Sequence, residues 1–242
     1  MKLLDSNDIT PLYIQLSDQI RLQIEQGTIQ YGHQIPSEAQ LCEQYEVSRV
    51  TVRNAVELLV KEGALIKRQG KGTYVAFPEL EERMINGRSD SFSEAFSQIS
   101  ISTSTKIVDK KIINASTVIG KRLHLPVGES VIRIQRIRYV NNIPAVFEED
   151  FFPMSFDFLM QTELKDLSLF SLIFEKTGIH PKIAMSSFSA RSANENHSKW
   201  LNVATGEALL FISQIISDSE NEILYYNEQT ICSDVYKYVV KS

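Results

Sequence analysis

The chain contains little cysteine and no long apolar run. Its two cysteines, Cys42 and Cys232, are too few and too far apart to predict a disulfide scaffold or a metal site. No segment stays apolar over the roughly 20 residues that a membrane helix needs, and no signal peptide is recognisable. We therefore expect a cytoplasmic protein with no membrane partner.

The sequence also lacks the patterns that are typical of catalytic centres. It has no nucleophile paired with a base, no metal-ligand spacing and no glycine loop of the phosphate-binding type. The four histidines are scattered along the chain: His33, His124, His180 and His197. We therefore predict no catalytic residue, no metal and no cofactor.

Acidic residues outnumber basic ones overall, but one segment has the opposite balance. The net charge of -5 and the pI of about 5.5 argue against a generic polyanion binder. Between Val47 and Ala76, however, there are six basic and two acidic residues, whereas Asp5–Glu46 contains one arginine and seven acidic residues. This polarity predicts that one local surface meets phosphate and that its binding depends on salt, although chance clustering is the open alternative.

The segment Val47–Ala55 predicts a helix that exposes a face suited to DNA. Ser48 can cap its first turn, and an apolar stripe recurs at helical spacing: Val52, Ala55, Val56 and Leu59. Arg49 and Arg53 lie one turn apart on the opposite face, beside Asn54. A guanidinium fork matches either a phosphate or the O6/N7 edge of guanine. By itself, the segment could equally be an amphipathic helix with solvated arginines.

The flanking segments favour DNA binding. Ser37 followed by Gln40 predicts a capping box that opens a short helix ending near Tyr45, and an earlier helix is expected from Thr10–Pro11 to Gly27. The tight connection to Ser48 is that of a helix-turn-helix. Two apolar-containing runs, Leu65–Arg68 and Thr73–Ala76, then enclose Gln69–Gly72 and predict a basic β-hairpin, or wing.

Leu12–Ala76 resembles the winged helix-turn-helix of GntR-type bacterial transcription regulators. The resemblance rests on Pro36-Ser37-Glu38, Val47-Ser48-Arg49, Thr51-Val52-Arg53, Glu62-Gly63 and Arg68-Gln69-Gly70-Lys71-Gly72-Thr73. It implies DNA contacts by Ser37, Ser48, Arg49, Thr51, Arg53, Gln69 and Gly70. The exposed face of the predicted helix adds Asn54, and the basic tip of the hairpin adds Arg68 and Lys71. Two positions depart from the family: Ala39 replaces a common arginine, and Glu46 replaces a common glycine.

The remainder of the chain predicts a second domain with an internal repeat. We expect a DNA-binding domain over residues 1–76, a linker over 77–90 and a C-terminal domain over 91–242. Leu123–Val131 aligns with Leu201–Leu209 at an offset of 78, and each segment leads into two strands. A helix from Ser168 to about Lys176 joins the halves. The pattern predicts an antiparallel α+β domain, with coincidence as the alternative for so short an alignment.

Alternation along Val131–Tyr139 places two arginines on an apolar row. Ile132 and Ile134 share a face with Arg136 and Arg138. If that face is buried, the arginines need either acidic partners or a bound anion, because an unpaired buried guanidinium is costly. Glu148 shares the row on the return strand, and Glu228 lies on the second hairpin. Salt bridges to Glu148 and Glu228 and a ligand site fit the spacing equally well.

Residues 91–238 are similar to the UTRA effector domain of the HutC branch of GntR regulators, which has a chorismate-lyase-like fold. The similarity rests on Gly128-Glu129, Arg136-Ile137-Arg138, Ile143-Pro144, Glu148-Glu149, Ser168-Leu169 and Gly206-Glu207. It implies that Arg136 and Arg138, helped by Ser91 and Ser168, hold a phosphate or carboxylate. It also implies contacts to the body of the ligand by Glu148, Phe170, Glu228 and Tyr236.

These patterns predict a homodimeric repressor that binds a palindromic DNA operator and responds to a small anionic metabolite, for which the resemblance favours a phosphorylated sugar or amino sugar. Two alternatives remain. The C-terminal domain could serve only for dimerisation, or it could be an enzyme, since its expected fold is shared with a lyase.

Overall fold

The computed structural model describes residues 4–6, 8–68, 70–77, 84–85, 88–89 and 101–236, with backbone alone at 84–85 and 88–89. The chain forms two compact units that divide between Pro78 and Glu79. Each unit has its own apolar core. They are described in turn.

The first unit is a winged helix-turn-helix. Its helices are α1 (Leu12–Glu25), α2 (Glu38–Tyr45) and α3 (Arg49–Lys61), and its strands β1 (Leu65–Arg68) and β2 (Gly72–Val75) pair antiparallel. Its core includes the predicted stripe of α3, whose four apolar residues are all buried, together with Leu16, Ile20 and Ile24 of α1. The sequence pattern and the structure therefore agree on which face of α3 is buried and which is exposed.

Side-chain caps fix the starts of both α2 and α3. The Ser37 hydroxyl accepts the Gln40 N–H and the Gln40 side chain accepts the Ser37 N–H, which completes the predicted capping box. The Ser48 hydroxyl accepts the Thr51 N–H at 3.1 Å at the start of α3. Between them Glu46 adopts left-handed backbone angles, φ 55° and ψ 41°, which close α2.

The second unit is built on a six-stranded antiparallel sheet with the strand order β5-β6-β7-β10-β9-β8. The strands are β5 (Thr103–Asn114), β6 (Ser130–Val140), β7 (Ile143–Pro153), β8 (Lys182–Ser192), β9 (Ala208–Ser217) and β10 (Ile223–Ile231). The helices are α4 (Thr117–Leu123), α5 (Leu169–Thr177) and α6 (Glu195–Leu201), with a 3-10 segment at Met154–Met160.

The predicted internal repeat is present in the backbone. Each half runs strand, helix, strand, strand, and α4 and α6 start 78 residues apart. The Gly128 N–H donates to the Ala115 carbonyl at 2.9 Å, and the Gly206 N–H donates to that of Ala193 at 2.8 Å. Both glycines have positive φ, 87° and 86°. The halves meet at β7 and β10, so β5 and β8 form opposite edges of the sheet.

The two faces of the sheet carry different helices. On one face, called here the α5 face, Ile132, Ile134 and Phe152 pack with Leu172 and Ile173 of α5. The opposite face, called the α4/α6 face, carries a cluster around Leu123 of α4 and another around Leu201 of α6. Which face a strand residue occupies therefore decides which site it can join.

The segment 77–90, which the sequence analysis assigned to a linker, contains more structure than predicted. Phe77 is buried and lies 6.4 Å from Tyr31, ring centroid to ring centroid. Two short strands, β3 (Met84–Ile85) and β4 (Arg88–Ser89), pair antiparallel and belong to the second unit, where β4 lies beside β8. Within the described residues, no helix is long and apolar enough to cross a membrane.

Candidate functional sites

The outer face of α3 offers polar and apolar groups to a partner. Arg49 and Asn54 are exposed, and Thr51 is half-buried with its hydroxyl 2.8 Å from that of Ser48. Val50 lies beside Arg49, and 67% of its surface is exposed, so this apolar side chain does not serve the core. An apolar side chain at this place can contact a thymine methyl group, while arginine and asparagine can bind purine edges.

Arg53 is held in place by the helix before it. Its Nε donates to Glu38 Oε2 at 2.9 Å, although both side chains are substantially exposed. This hydrogen bond raises the pKa of Arg53 above its ordinary value. The bond engages Nε alone among the guanidinium nitrogens, and it fixes the direction of the fork. Glu38 was not among the predicted site residues.

The wing carries its cations on a stiffened turn. The Arg68 guanidinium lies over the Tyr74 ring, 4.7 Å from the centroid. The Lys71 carbonyl accepts the Tyr74 hydroxyl at 3.1 Å and the Gln34 amide at 3.2 Å, and Lys71 itself is exposed. Gly70 has φ 70°, a value that favours glycine. The predicted contact residue Gln69 lies outside the described residues.

In the second unit, Arg136 and Arg138 are paired internally. Arg136 Nη2 lies 2.8 Å from both Glu148 Oε2 and Asp150 Oδ2, and Arg138 Nε lies 3.0 Å from Glu148 Oε2. All four groups are buried on the α5 face. Two guanidinium groups therefore meet two carboxylates. This is the structural pairing that the sequence left open, with Asp150 in the place that was expected for Glu228.

The hydrogen bonds continue across the sheet as a polar ladder. Arg138 Nη1 donates to the Thr105 hydroxyl at 2.9 Å on β5, and Asn227 donates to Asp150 at 2.8 Å on β10. Gln229 donates to both Asn227 and Gln214, and Gln214 reaches Ser186 on β8. The polar ladder, used below in this sense, consists of Thr105, Arg136, Arg138, Glu148, Asp150, Ser186, Gln214, Asn227 and Gln229.

The two carboxylates of the polar ladder titrate differently. Burial pushes the pKa of Glu148 upward, but attraction by Arg138 and Arg136 outweighs it, so the pKa lies below its ordinary value. Burial also raises the pKa of Asp150, and here Arg136 does not fully offset it while the charge of Glu148 adds to the rise. Glu148 is thus the fixed negative charge of the cluster.

Arg136 keeps hydrogen-bonding capacity that the ladder leaves unused. Its Nε and Nη1 atoms are buried, and neither has a hydrogen-bond partner among the described residues. A buried donor without a partner costs about 1–3 kcal/mol. Near the other end of the guanidinium pair, a cavity of about 590 Å³ opens at Thr105, lined in part by Lys106, Lys110 and Tyr139.

The other predicted effector residues are partly gathered at this face. Phe170 of α5 makes an edge contact with Tyr225, 6.4 Å between centroids, in the same core as Ile134. Ser168 caps α5 by accepting the Ser171 N–H at 3.4 Å. Tyr236 is buried and its N–H donates to the Cys232 carbonyl. Ser91 lies outside the described residues.

Glu228 does not belong to this group, which corrects the sequence analysis. It stands directly opposite Glu149 in the register of β7 and β10, and Glu149 stands opposite Gln135. Directly opposed residues share a face, so Glu228 lies on the α4/α6 face, where it accepts the Tyr226 hydroxyl at 2.7 Å. A ligand bound at Arg136 and Arg138 would lie on the α5 face, on the opposite side of the sheet from Glu228.

Sequence reasoning missed several members of the polar ladder. Asp150 shares the parity of Glu148 and could have been found by extending that row by two residues. Thr105 and Asn227 could not, because their positions depend on the register between strands that are distant in sequence.

A winged helix-turn-helix with an exposed, arginine-bearing third helix, followed by a separate sheet domain, defines a DNA-binding regulator. Comparison with known families agrees. Residues 12–75 match the model described as bacterial regulatory proteins, gntR family, and residues 100–237 match the UTRA domain. The chain therefore belongs to the GntR family, in the branch with the HutC-like architecture.

Relatives over nearly the whole length are regulators. The chain is 31% identical to the HTH-type transcriptional regulator YurK of Bacillus subtilis (strain 168), covering 92% of each protein. It is 30% identical to a probable fructoselysine utilization operon transcriptional repressor of Shigella flexneri, covering 90% of this chain and 88% of that one. The structure of PhnF from Mycobacterium smegmatis has the same fold, with a TM-score of 0.68 at 20% identity over 94% of this chain and 98% of that one.

Proposed function

We propose that the protein is a repressor that binds a palindromic operator as a homodimer. The observation that carries this proposal is the exposed face of α3, with Arg49, Val50 and Asn54 available and Arg53 oriented by Glu38. A two-fold dimer places two such helices against half-sites related by the same symmetry. The wing supplies Arg68 and Lys71 for the adjacent phosphates.

Footprinting tests the DNA contact. Arg49→Ala with Arg53→Ala removes both forks and should abolish protection of the operator at protein concentrations that saturate it with wild type. The matched control is Arg21→Ala with Lys61→Ala, which removes two positive charges of the same unit away from the start of α3. Unchanged protection by the Arg49/Arg53 pair would refute the proposal.

We further propose that a small anionic metabolite, with phosphorylated sugars or amino sugars favoured, binds against the polar ladder and controls DNA binding. The unsatisfied Arg136 nitrogens support this, because an anionic oxygen would supply the acceptors that they lack. Glu148 and Asp150 already balance the charges of the two arginines. We therefore expect the ligand to carry hydroxyl or ammonium groups in addition to its anionic group, because these can donate hydrogen bonds to the two carboxylates. Several relatives are named for the use of fructoselysine.

A thermal-shift panel of phosphorylated sugars, amino sugars and small carboxylates tests this site. A ligand that binds the native state should raise Tm and change operator affinity. Arg136→Lys should lose most of the shift, whereas Arg133→Lys, on the same strand but facing the other side, should keep it.

The internal pairing of Arg136 and Arg138 favours a second candidate, in which the C-terminal unit only dimerises. It predicts that none of these compounds changes Tm or operator affinity, and that Arg136→Lys alters stability alone. The same panel therefore separates the two functions.

A further inference from the structure

The two edges of the six-stranded sheet are unequal. β5 and β8 occupy corresponding places in the two halves of the repeat, and each pairs with one neighbour among the described strands of the sheet. An edge strand presents unpaired N–H and C=O groups, so natural proteins protect such edges with charges or bulges. β5 shows such protection, and most of β8 does not.

β5 has the features of a protected edge. It carries four charged residues, Lys106, Asp109, Lys110 and Lys111, and its pairing with β6 shifts between Ile107 and Asp109. Lys111 pairs with Asp109 at 3.0 Å, which keeps charge along the strand. Another strand would have to desolvate these charges and follow an irregular backbone.

β8 lacks this protection over most of its length. No charged residue occurs from Ile183 to Ala190, and its one shift in register, between Ile183 and Met185, leaves Met185–Ser192 regular. Most of its residues are exposed, including 41% of Met185 and 48% of Phe188. Among the described strands, β9 alone pairs with it, because β4 lies nearby but pairs with β3.

We propose that β8 pairs antiparallel with β8 of a second copy, so that the two sheets continue as one across the dimer. This rests on the proposed homodimer and names its surface. An antiparallel pair of identical strands is self-complementary about a two-fold axis. With the axis near Ser187, each uncharged stretch faces its equivalent, and Lys182 and Arg191 lie at the ends, facing Ser192 and Ile183 of the other copy.

A second copy fits this edge better than an unrelated extended peptide. The stretch from Ile183 to Ala190 offers no charge with which to select a foreign sequence, but an identical strand meets it with the same length and the same side-chain alternation. Two-fold pairing also gives the symmetry that a palindromic operator requires.

Sedimentation velocity of the full chain tests the interface. Ser187→Lys places like charges directly opposite each other at the axis, and Ser189→Lys places a charge opposite the apolar Met185 of the other copy, so we expect each to raise the dimer dissociation constant at least about tenfold. The control is Ser104→Lys, an exposed serine on β5, which should leave the constant unchanged. Hydrogen exchange should show β8 amides that become protected as wild-type concentration rises, whereas protection of β5 stays constant.

The outcomes separate this interface from the function proposed above. A stable dimer in both lysine variants, with β8 amides that exchange independently of concentration, would overturn the β8 interface while a DNA-binding dimer still stands. Protection of β8 in a monomeric sample would indicate cover by another part of the chain and would overturn it as well. A wild type that stays monomeric even on operator DNA would refute both proposals.

Discussion

Glu46 occupies a backbone conformation that its side chain disfavours. At φ 55° it closes α2 in the left-handed region, which costs a non-glycine residue about 1–2 kcal/mol. The glycine that is common at this place in the family would relieve that cost. Part of the gain is offset because glycine loses more conformational entropy on folding. We expect Glu46→Gly to raise the free energy of unfolding by up to about 1 kcal/mol, measured by urea denaturation.

The same substitution removes an acid three residues before the start of α3, so operator affinity should also rise. Glu46→Gln separates the two effects because it removes the charge but keeps the strained backbone. If Glu46→Gln stabilises as much as Glu46→Gly, backbone strain is the wrong explanation.

Glu148 and Asp150 are expected to differ in what their charges contribute. Glu148 touches both arginines and its folded pKa is depressed. Its stabilisation is therefore present above the ordinary glutamate pKa of about 4.3 and is lost as pH falls through the folded value. The folded pKa of Asp150 is raised, so ionising it costs stability as pH rises through that value. At neutral pH, Glu148→Gln should cost about 3–5 kcal/mol and Asp150→Asn about 1–2 kcal/mol.

Chemical denaturation between pH 3 and 8 (roughly the range over which carboxyl groups titrate) measures both effects. Glu149→Gln is the matched control, since this half-buried neighbour faces the other side of the sheet, opposite Glu228. It should change stability by less than about 1 kcal/mol. Equal costs for Glu148→Gln and Asp150→Asn would contradict the assignment of the fixed charge to Glu148.

Among the elements, those defined by local pattern were predictable. The start of α3 follows from Ser48 and its buried face from the apolar stripe, and both are present in the structure. β5 and β8 were not predicted, because their charged or serine-rich sequences lack strong alternation and acquire strand structure through their neighbours. Glu228 was misplaced for a similar reason: its face depends on how β10 registers against β7.

The repeated helices α4 and α6 differ at one position that packing explains. A side-chain Cβ at Gly120 of α4 would lie 2.9 Å from the Leu125 carbonyl oxygen, a backbone atom with little freedom to move. The equivalent position of α6, 78 residues later, is Ser198. We expect Gly120→Ala to lower the free energy of unfolding by about 1–3 kcal/mol.

Ser198→Ala provides the internal control and should stay within about 0.5 kcal/mol of wild type by the same denaturation measurement. If both substitutions prove equally harmless, the loop after α4 adapts more readily than its close approach implies.

At the scale of the whole molecule, charge is divided between a local positive segment and an acidic remainder. Operator affinity should therefore fall steeply with salt although the protein is acidic overall. Each lost phosphate contact reduces the slope of log K against log salt by about 0.9, so replacing Lys71 and Arg68 in the wing by alanine should reduce it by up to about 2.

Fluorescence anisotropy with an operator fragment over a salt series measures this slope. Replacing Lys121 and Arg122, which belong to the sheet domain, removes two charges as well and should leave the slope unchanged. An unaltered slope in the wing variant would mean that Arg68 and Lys71 do not contact phosphate.

The duplicated architecture of the sheet gives the polar ladder a mechanical role. Each half contributes three adjacent strands, so the halves are joined through a single seam between β7 and β10. Asp150 and Asn227 bond across that seam, and Glu148 stands opposite Gln229 in the same register. A slip of one residue would move these polar groups to the wrong side. A molecule that competes for Asp150 or Glu148 would therefore do more than occupy a cleft. It would weaken or strengthen the side-chain contacts that hold β7 and β10, and so the two halves of the sheet, together.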